Sequence, residues 1–131
     1  MDCRRQARKK GLTIRGTQKI WDSTLAGAGM LYAAQQGDDV LRRYQDMVFE
    51  RFWQRALDIE QVSVIAGVLR EAGCDDTGFP GWAEQGRAAV GEISREAEAI
   101  GVFGVPTFVV DGEIFWGREH LPDIRGMLAQ G

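Results

Sequence analysis

The sequence predicts an α/β domain in which a helical block is inserted between strand-forming ends. Three observations carry this. Residues 107–110 and 113–116, "TFVV" and "EIFW", are two β-rich runs around the pair Asp111-Gly112. Residues 12–15, "LTIR", form a short β-branched run near the start. Between them, residues 24–100 carry apolar positions at helical spacing, broken by glycines.

In chain order, residues 4–10 are expected to be helical, with Gly11 as the stop. "LTIR" follows as a brief strand. Residues 17–23 read as a loop in which Asp22, Ser23 or Thr24 caps the next helix through a side-chain oxygen. That helix, 24–36, turns Leu25, Ala28, Met30, Leu31, Tyr32 and Ala34 to one use, packing. Gly27 and Gly29 weaken it by about 1 kcal/mol each against alanine, and close packing is the reason expected for them. Gly37 stops it.

A third helix, from about Asp38 to Arg55, has Val40, Leu41, Tyr44, Met47, Val48 and Phe52 as its stripe. Phe49 and Trp53 widen the stripe, which reads as core rather than as a cofactor box. The next helix is expected to begin at Asp58, with Gln61 placed as a capping-box partner. Its buried face is Ile59, Val62, Ile65, Ala66 and Leu69, and Gly73 ends it. "CDDTGFPG" (74–81) reads as a loop. A long helix over 82–100 turns Ala89, Ile93, Ala97 and Ile100 inward and Glu84, Arg87, Glu92, Arg95, Glu96 and Glu98 to solvent. The Asp-Gly pair then predicts a tight type I′ hairpin. A last helix after Gly117 turns Leu121, Ile124 and Leu128 inward, with Pro122 tolerable only near its first turn.

The 131 residues suit one domain, 1–131, able to bury a real core. A net charge of -3 argues against a general nucleic-acid binder. The basic start "RRQARKK" reads as the solvated face of a helix rather than a nucleic-acid tail. No apolar run approaches the roughly 18 residues that would span a membrane. No apolar stretch follows the N-terminal charges, so no signal peptide is expected. Cys3 and Cys74 stand far apart, outside any Cys-x-x-Cys pair, and are expected as reduced thiols in the cytoplasm. Cys74 has no nearby base or basic cluster and reads as inert. No metal site is expected. His120, the one histidine, is a general acid or base by type, but no nucleophile stands near it by motif, so it reads as structural or solvated.

Pro106 raises a separate question, since local signals allow a turn proline or a site proline. Here the sequence resembles a known family. The carrying residues are Gly101-Val102-Phe103-Gly104-Val105-Pro106-Thr107-Phe108 and Phe115-Trp116-Gly117, together with "FERFWQRALDIEQVSVIAGVLREAG" over 49–73. They resemble the DsbA-like thioredoxin family, above all its branch of 2-hydroxychromene-2-carboxylate isomerases and kappa-class glutathione transferases. The resemblance implies a thioredoxin-like α/β fold with a helical insertion over about 24–100 and a C-terminal hairpin and helix over 105–129. It also implies a cis Val105–Pro106 bond, with Gly104 beside it. It implies that the Val105 backbone pairs, strand-like, with the cysteinyl part of glutathione or with a peptide.

The same resemblance makes Gly117, Arg118 and Glu119 the second part of the site. They stand where the glutathione-binding branch has a Gly-Ser-Asp-like segment. Arg118 would hold a carboxylate and Glu119 an ammonium group. The family's first strand and helix, with its catalytic cysteines or single serine or cysteine, have no counterpart in the sequence. The catalytic residue is therefore open. Two functions are expected. One is a glutathione- or thiol-linked isomerase or oxidoreductase acting on a small thiol or aromatic substrate. The other is a non-catalytic, truncated module that binds or assembles. A sheet lacking its first strand is expected to pair with a second copy, unless the chain is a piece of a longer protein whose start is not Met1.

Overall fold

The computed structural model describes residues 2–129; the expectation about Met1 lies outside them. The chain divides into two compact units, one up to Gly91 and one from Glu92 onward.

The first unit holds helices α1 (Asp2–Lys9), α2 (Thr24–Ala34), α3 (Asp38–Trp53) and α4 (Val62–Glu71) and most of α5 (Phe79–Ala99). Its core is built from Leu25, Ala28, Tyr44, Ile65, Leu69 and Phe79, all closed to solvent. The glycine of the α2 crossing explains the close approach. A Cβ on Gly29 would lie 2.6 Å from Tyr44 Cζ and 2.9 Å from Ile65 Cγ2. Tyr44 uses that proximity, donating its hydroxyl to the Ala26 carbonyl at 2.8 Å. Burial raises the Tyr44 phenol well above its usual range. Gly27 lies against Val90 in the same way.

The start of α2 takes one of its three expected caps, whereas the starts of α4 and α5 differ from the sequence expectation. Asp22, rather than Ser23 or Thr24, does the capping at α2, taking the Thr24 N–H at 2.9 Å. Asp58 does not begin a helix. Its Oδ1 takes the Glu60 N–H at 3.0 Å, which closes an Asx turn, and α4 begins only after extended Gln61. Helix α5 begins earlier than expected, at Phe79. Pro80 suits a first helical turn because it has no N–H to satisfy. Arg70 anchors this corner by a two-pronged bond to buried Asp76, at 2.7 and 3.1 Å.

The strand expected over 12–15 is not formed. A strand exists only by pairing, and here the Arg15 N–H goes to the Trp53 carbonyl at the end of α3, 2.8 Å away. Among the described residues the one sheet is the hairpin of the second unit.

That unit holds the end of α5, strands β1 (Thr107–Val110) and β2 (Glu113–Trp116), a 3-10 turn over Arg118–His120 and helix α6 (Leu121–Ala129). Asp111 and Gly112 both have positive φ, 51° and 81°, as a type I′ turn requires. The register is Thr107 with Trp116, Phe108 with Phe115, Val109 with Ile114 and Val110 with Glu113. Ile124 of α6 is buried as expected, but Leu121 and Leu128 are exposed, as are Ile93 of α5 and Ile100 just beyond its end. Periodicity marks an apolar face; burial needs an element to cover it, and none does among the described residues. No helix among them is long and apolar enough to cross a membrane.

Candidate functional site

The Asp-Gly turn sets the geometry of the second unit. Two turn residues fix the register, and the register carries the ladder one step beyond the strands. The Gly117 N–H donates to the Pro106 carbonyl at 3.0 Å. This bond brings together the two segments singled out by sequence, Gly104-Val105-Pro106 and Gly117-Arg118-Glu119. It also makes 106/117, 108/115 and 110/113 the hydrogen-bonded pairs, by the alternation of an antiparallel ladder. The N–H and C=O groups of Thr107 and Val109 therefore face the outer edge of β1.

The Val105–Pro106 peptide bond is cis. Val105 is 89% exposed, so its backbone is open to solvent. Thr107 donates its hydroxyl to the Gly104 carbonyl at 2.5 Å, which ties the two sides of the Val-Pro step together. Gly104 leaves room for the Trp116 indole. A Cβ there would lie 2.9 Å from Trp116 Nε1. The Trp116 ring also meets Phe103, centroids 5.2 Å apart. Exposed Phe103, Val105 and Trp116 give this corner an apolar surface.

Gly117 has φ 108° and ψ 152°, a conformation open in practice to glycine alone. The Glu119 carboxylate folds back over it, into the space a side chain at 117 would fill. Arg118 is exposed. His120 turns its ring toward Phe115, centroids 5.8 Å apart, and its Nδ1 stands 4.0 Å from Asp123 Oδ2. These contacts make it a packed and solvated residue, as expected from sequence.

Trp116 and Thr107 are the site residues that sequence reasoning used only as motif letters. The signal for them was present: counting outward from the Asp-Gly turn pairs 107 with 116. In the first unit, Cys3 is exposed and Cys74 buried, both as free thiols. Burial, then the charges of Asp75 and Asp76, pushes the Cys74 thiol up, which disfavours a thiolate nucleophile. Among the described residues no three His, Cys, Asp or Glu side chains gather as metal ligands would.

A hairpin entered through a cis-proline, followed by a helix, with a helical block before it, defines a thioredoxin-like domain with a helical insertion. The sequence model of the DSBA-like thioredoxin domain matches residues 1–129, and the chain belongs to that family. It is 26% identical over 100 residues to 2-hydroxychromene-2-carboxylate isomerase of Sphingobium xenophagum, an alignment covering 75% of this chain and 50% of that protein. Its fold matches a solved 2-hydroxychromene-2-carboxylate isomerase with a TM-score of 0.76 at 23% identity, over 98% of this chain and 63% of the other. The chain thus spans about half the length of the curated relative it matches.

Proposed function

We propose that this chain provides the glutathione- or thiol-binding surface of a DsbA-like isomerase or oxidoreductase, with the isomerase as the favoured branch. The observation that carries the reading is the Gly117 N–H bond to the Pro106 carbonyl, which sets the Val105 edge beside Arg118 and Glu119. The relation to the isomerase of Sphingobium xenophagum supports that branch and an aromatic substrate.

The residues present fit glutathione in part. The exposed Val105 backbone suits strand-like pairing with a cysteinyl peptide unit. Arg118 suits a carboxylate and Glu119 an ammonium group. The Gly117 N–H does not serve as an anion donor, because Pro106 already uses it. Glutathione would bring the thiol; Gly104, Val105 and Pro106 would orient it, and Gly117 would fix the spacing of Arg118 and Glu119. The group that activates the thiol has no candidate among the described residues. Two free cysteines suit work in a reducing compartment such as the cytoplasm.

A titration of the chain with glutathione, followed by amide chemical shifts, tests this. Saturable shifts at Val105 and Gly117 are expected. Their absence at millimolar glutathione would reject the binding reading.

A second reading, a non-catalytic module that assembles, rests on the outer edge of β1, which pairs with no strand among the described residues. A second copy adding its own edge would cover it. Light scattering decides: a concentration-independent monomer rules this reading out.

A further inference from the structure

We propose that the helical unit carries a binding site for a phosphate monoester with a short aliphatic body, between α1 and residues 12–14. A cavity of about 420 Å³ opens there, within the range of small-molecule sites. Its lining is Arg4, Arg8, Leu12, Thr13 and Ile14. All five lie in the first unit, so the site stands apart from the hairpin.

The two arginines carry the argument. Arg4 and Arg8 stand four residues apart on α1, where side chains share a face and like charges repel. Elsewhere in this unit Arg51, Arg70 and Arg87 each hold a carboxylate, at 2.5 to 3.0 Å. The guanidinium groups of Arg4 and Arg8 have no partner among the described residues. No carboxylate lines the cavity. The Arg4 guanidinium rests against the segment that follows: a Cβ on Gly16 would meet its Nη2 at 2.8 Å.

The Thr13 hydroxyl and the N–H groups of Thr13 and Ile14 have no partner among the described residues either. Their segment is held at both ends. The Leu12 N–H donates to the Ala7 carbonyl at 2.9 Å, and the Arg15 N–H to the Trp53 carbonyl at 2.8 Å.

Charge and donor count select phosphate over carboxylate. A phosphate monoester carries a charge of about -1.5 to -2 at pH 7 and three strong acceptor oxygens. Two guanidinium groups balance that charge and donate to those oxygens in pairs. A carboxylate has one charge and two oxygens, which leaves one arginine unmatched. Leu12 and Ile14 give the cavity an apolar wall for the ester's carbon chain. A net charge of -3 on the whole chain disfavours an extended polyanion such as a nucleic acid, so the class is a small ester.

The test is a titration of the full chain with butyl phosphate in about 0.15 M salt, followed by the amide resonances of Thr13 and Ile14. Saturable shifts at both are expected. Pentanoate, which has the same carbon chain, should bind at least about tenfold more weakly. Inorganic phosphate should bind about threefold more weakly, for want of the chain. Arg8→Gln should weaken butyl phosphate about tenfold. Lys9→Gln is the control: Arg8 and Lys9 share the last turn of α1 and the same charge, but Lys9 does not line the cavity. It should change binding by about twofold or less in that salt. Arg4→Gln should match Arg8→Gln; should it lower the thermal midpoint by disturbing residues 12–16, Arg8→Gln decides. Equal losses in the Arg8→Gln and Lys9→Gln variants would reduce the site to general surface charge and overturn it. So would pentanoate or inorganic phosphate binding as tightly as butyl phosphate, or no shift at Thr13 and Ile14 up to about 20 mM ligand.

Discussion

The Gly117 N–H donates to the Pro106 carbonyl oxygen at 3.0 Å, one rung beyond the last strand pair of the hairpin. The donor can reach that oxygen because Gly117 sits at φ 108° and ψ 152°. An alanine at 117 meets two costs. The backbone region is strained for any L side chain by about 1–3 kcal/mol. Its Cβ would also collide with the Glu119 carboxylate. Gly117→Ala should therefore lower stability by about 1–3 kcal/mol in a denaturant titration. Adding Glu119→Ala should recover only the collision. Full recovery in the double variant would show that the backbone conformation costs nothing.

Under the proposed function, Arg118 would take a carboxylate of glutathione and Glu119 its ammonium group. Glu119→Gln should weaken glutathione about tenfold, as should Arg118→Gln, while a des-amino analogue should bind the Glu119→Gln variant and the parent chain alike. Calorimetric titration of both variants with both ligands reads this directly. A Glu119→Gln variant that binds glutathione more tightly would mean that the carboxylate over Gly117 blocks the site.

How much of this was legible before the structure differs by element. The hairpin was, down to its register, because Asp111-Gly112 permits one turn type and a two-residue turn permits one pairing. The stripe of α4 was legible because Ile65 and Leu69 stand one turn apart and are buried, and that of α3 in part, since Tyr44 is buried but Phe49 is exposed. Residues 12–15 were not. β-branched residues state a preference for extension, and whether a ladder forms depends on a neighbour strand, which a local run cannot reveal. The outward Ile93 and Leu128 failed for a related reason: spacing names a face but not its cover. At the candidate site, the resemblance supplied both segments as expectations, and the 3.0 Å bond between Gly117 and Pro106 adds their spatial relation. The fold over Gly117 of the Glu119 carboxylate was hidden, since it depends on a rotamer.

Gly29 and Gly67 should respond with opposite signs to alanine. A Cβ at Gly29 would overlap Tyr44 and Ile65, so Gly29→Ala should destabilise by about 1–3 kcal/mol despite its better helix propensity. A Cβ at Gly67, within α4, would meet nothing within 4 Å. Gly67→Ala should stabilise by about 0.5–1 kcal/mol. Chemical denaturation of the two variants side by side checks both signs. A neutral Gly29→Ala would mean that α2 moves away from α3 at little cost.

Acid should weaken the helical unit through a small set of carboxylates. The Lys19 side chain, then the Asp22 N–H, holds Glu60 below its usual carboxylate range. Arg51 does the same for Glu71, and the Thr24 hydroxyl and N–H, with Arg87, for Asp22. A depressed folded-state value favours folding at pH above the unfolded value and loses that support as pH falls through the folded one. Stability should therefore be flat from pH 7 to about pH 5 and decline below about pH 4. Glu60→Gln should shallow that decline, as read from denaturant midpoints at several pH values. An unchanged slope would assign the loss to other carboxylates.

The two thiols should separate by reactivity. Cys3 is exposed on α1. Cys74 is 5% exposed, and burial together with Asp75 and Asp76 raises its thiol, so little thiolate forms there at neutral pH. Iodoacetamide at pH 7.5 should label Cys3 in the native chain and leave Cys74 untouched, with both labelled in guanidinium. Mass spectrometry of the peptides distinguishes them. Native labelling of Cys74 at the rate of Cys3 would mean that the corner held by Arg70 and Asp76 opens readily, and Asp76→Asn should then speed it no further.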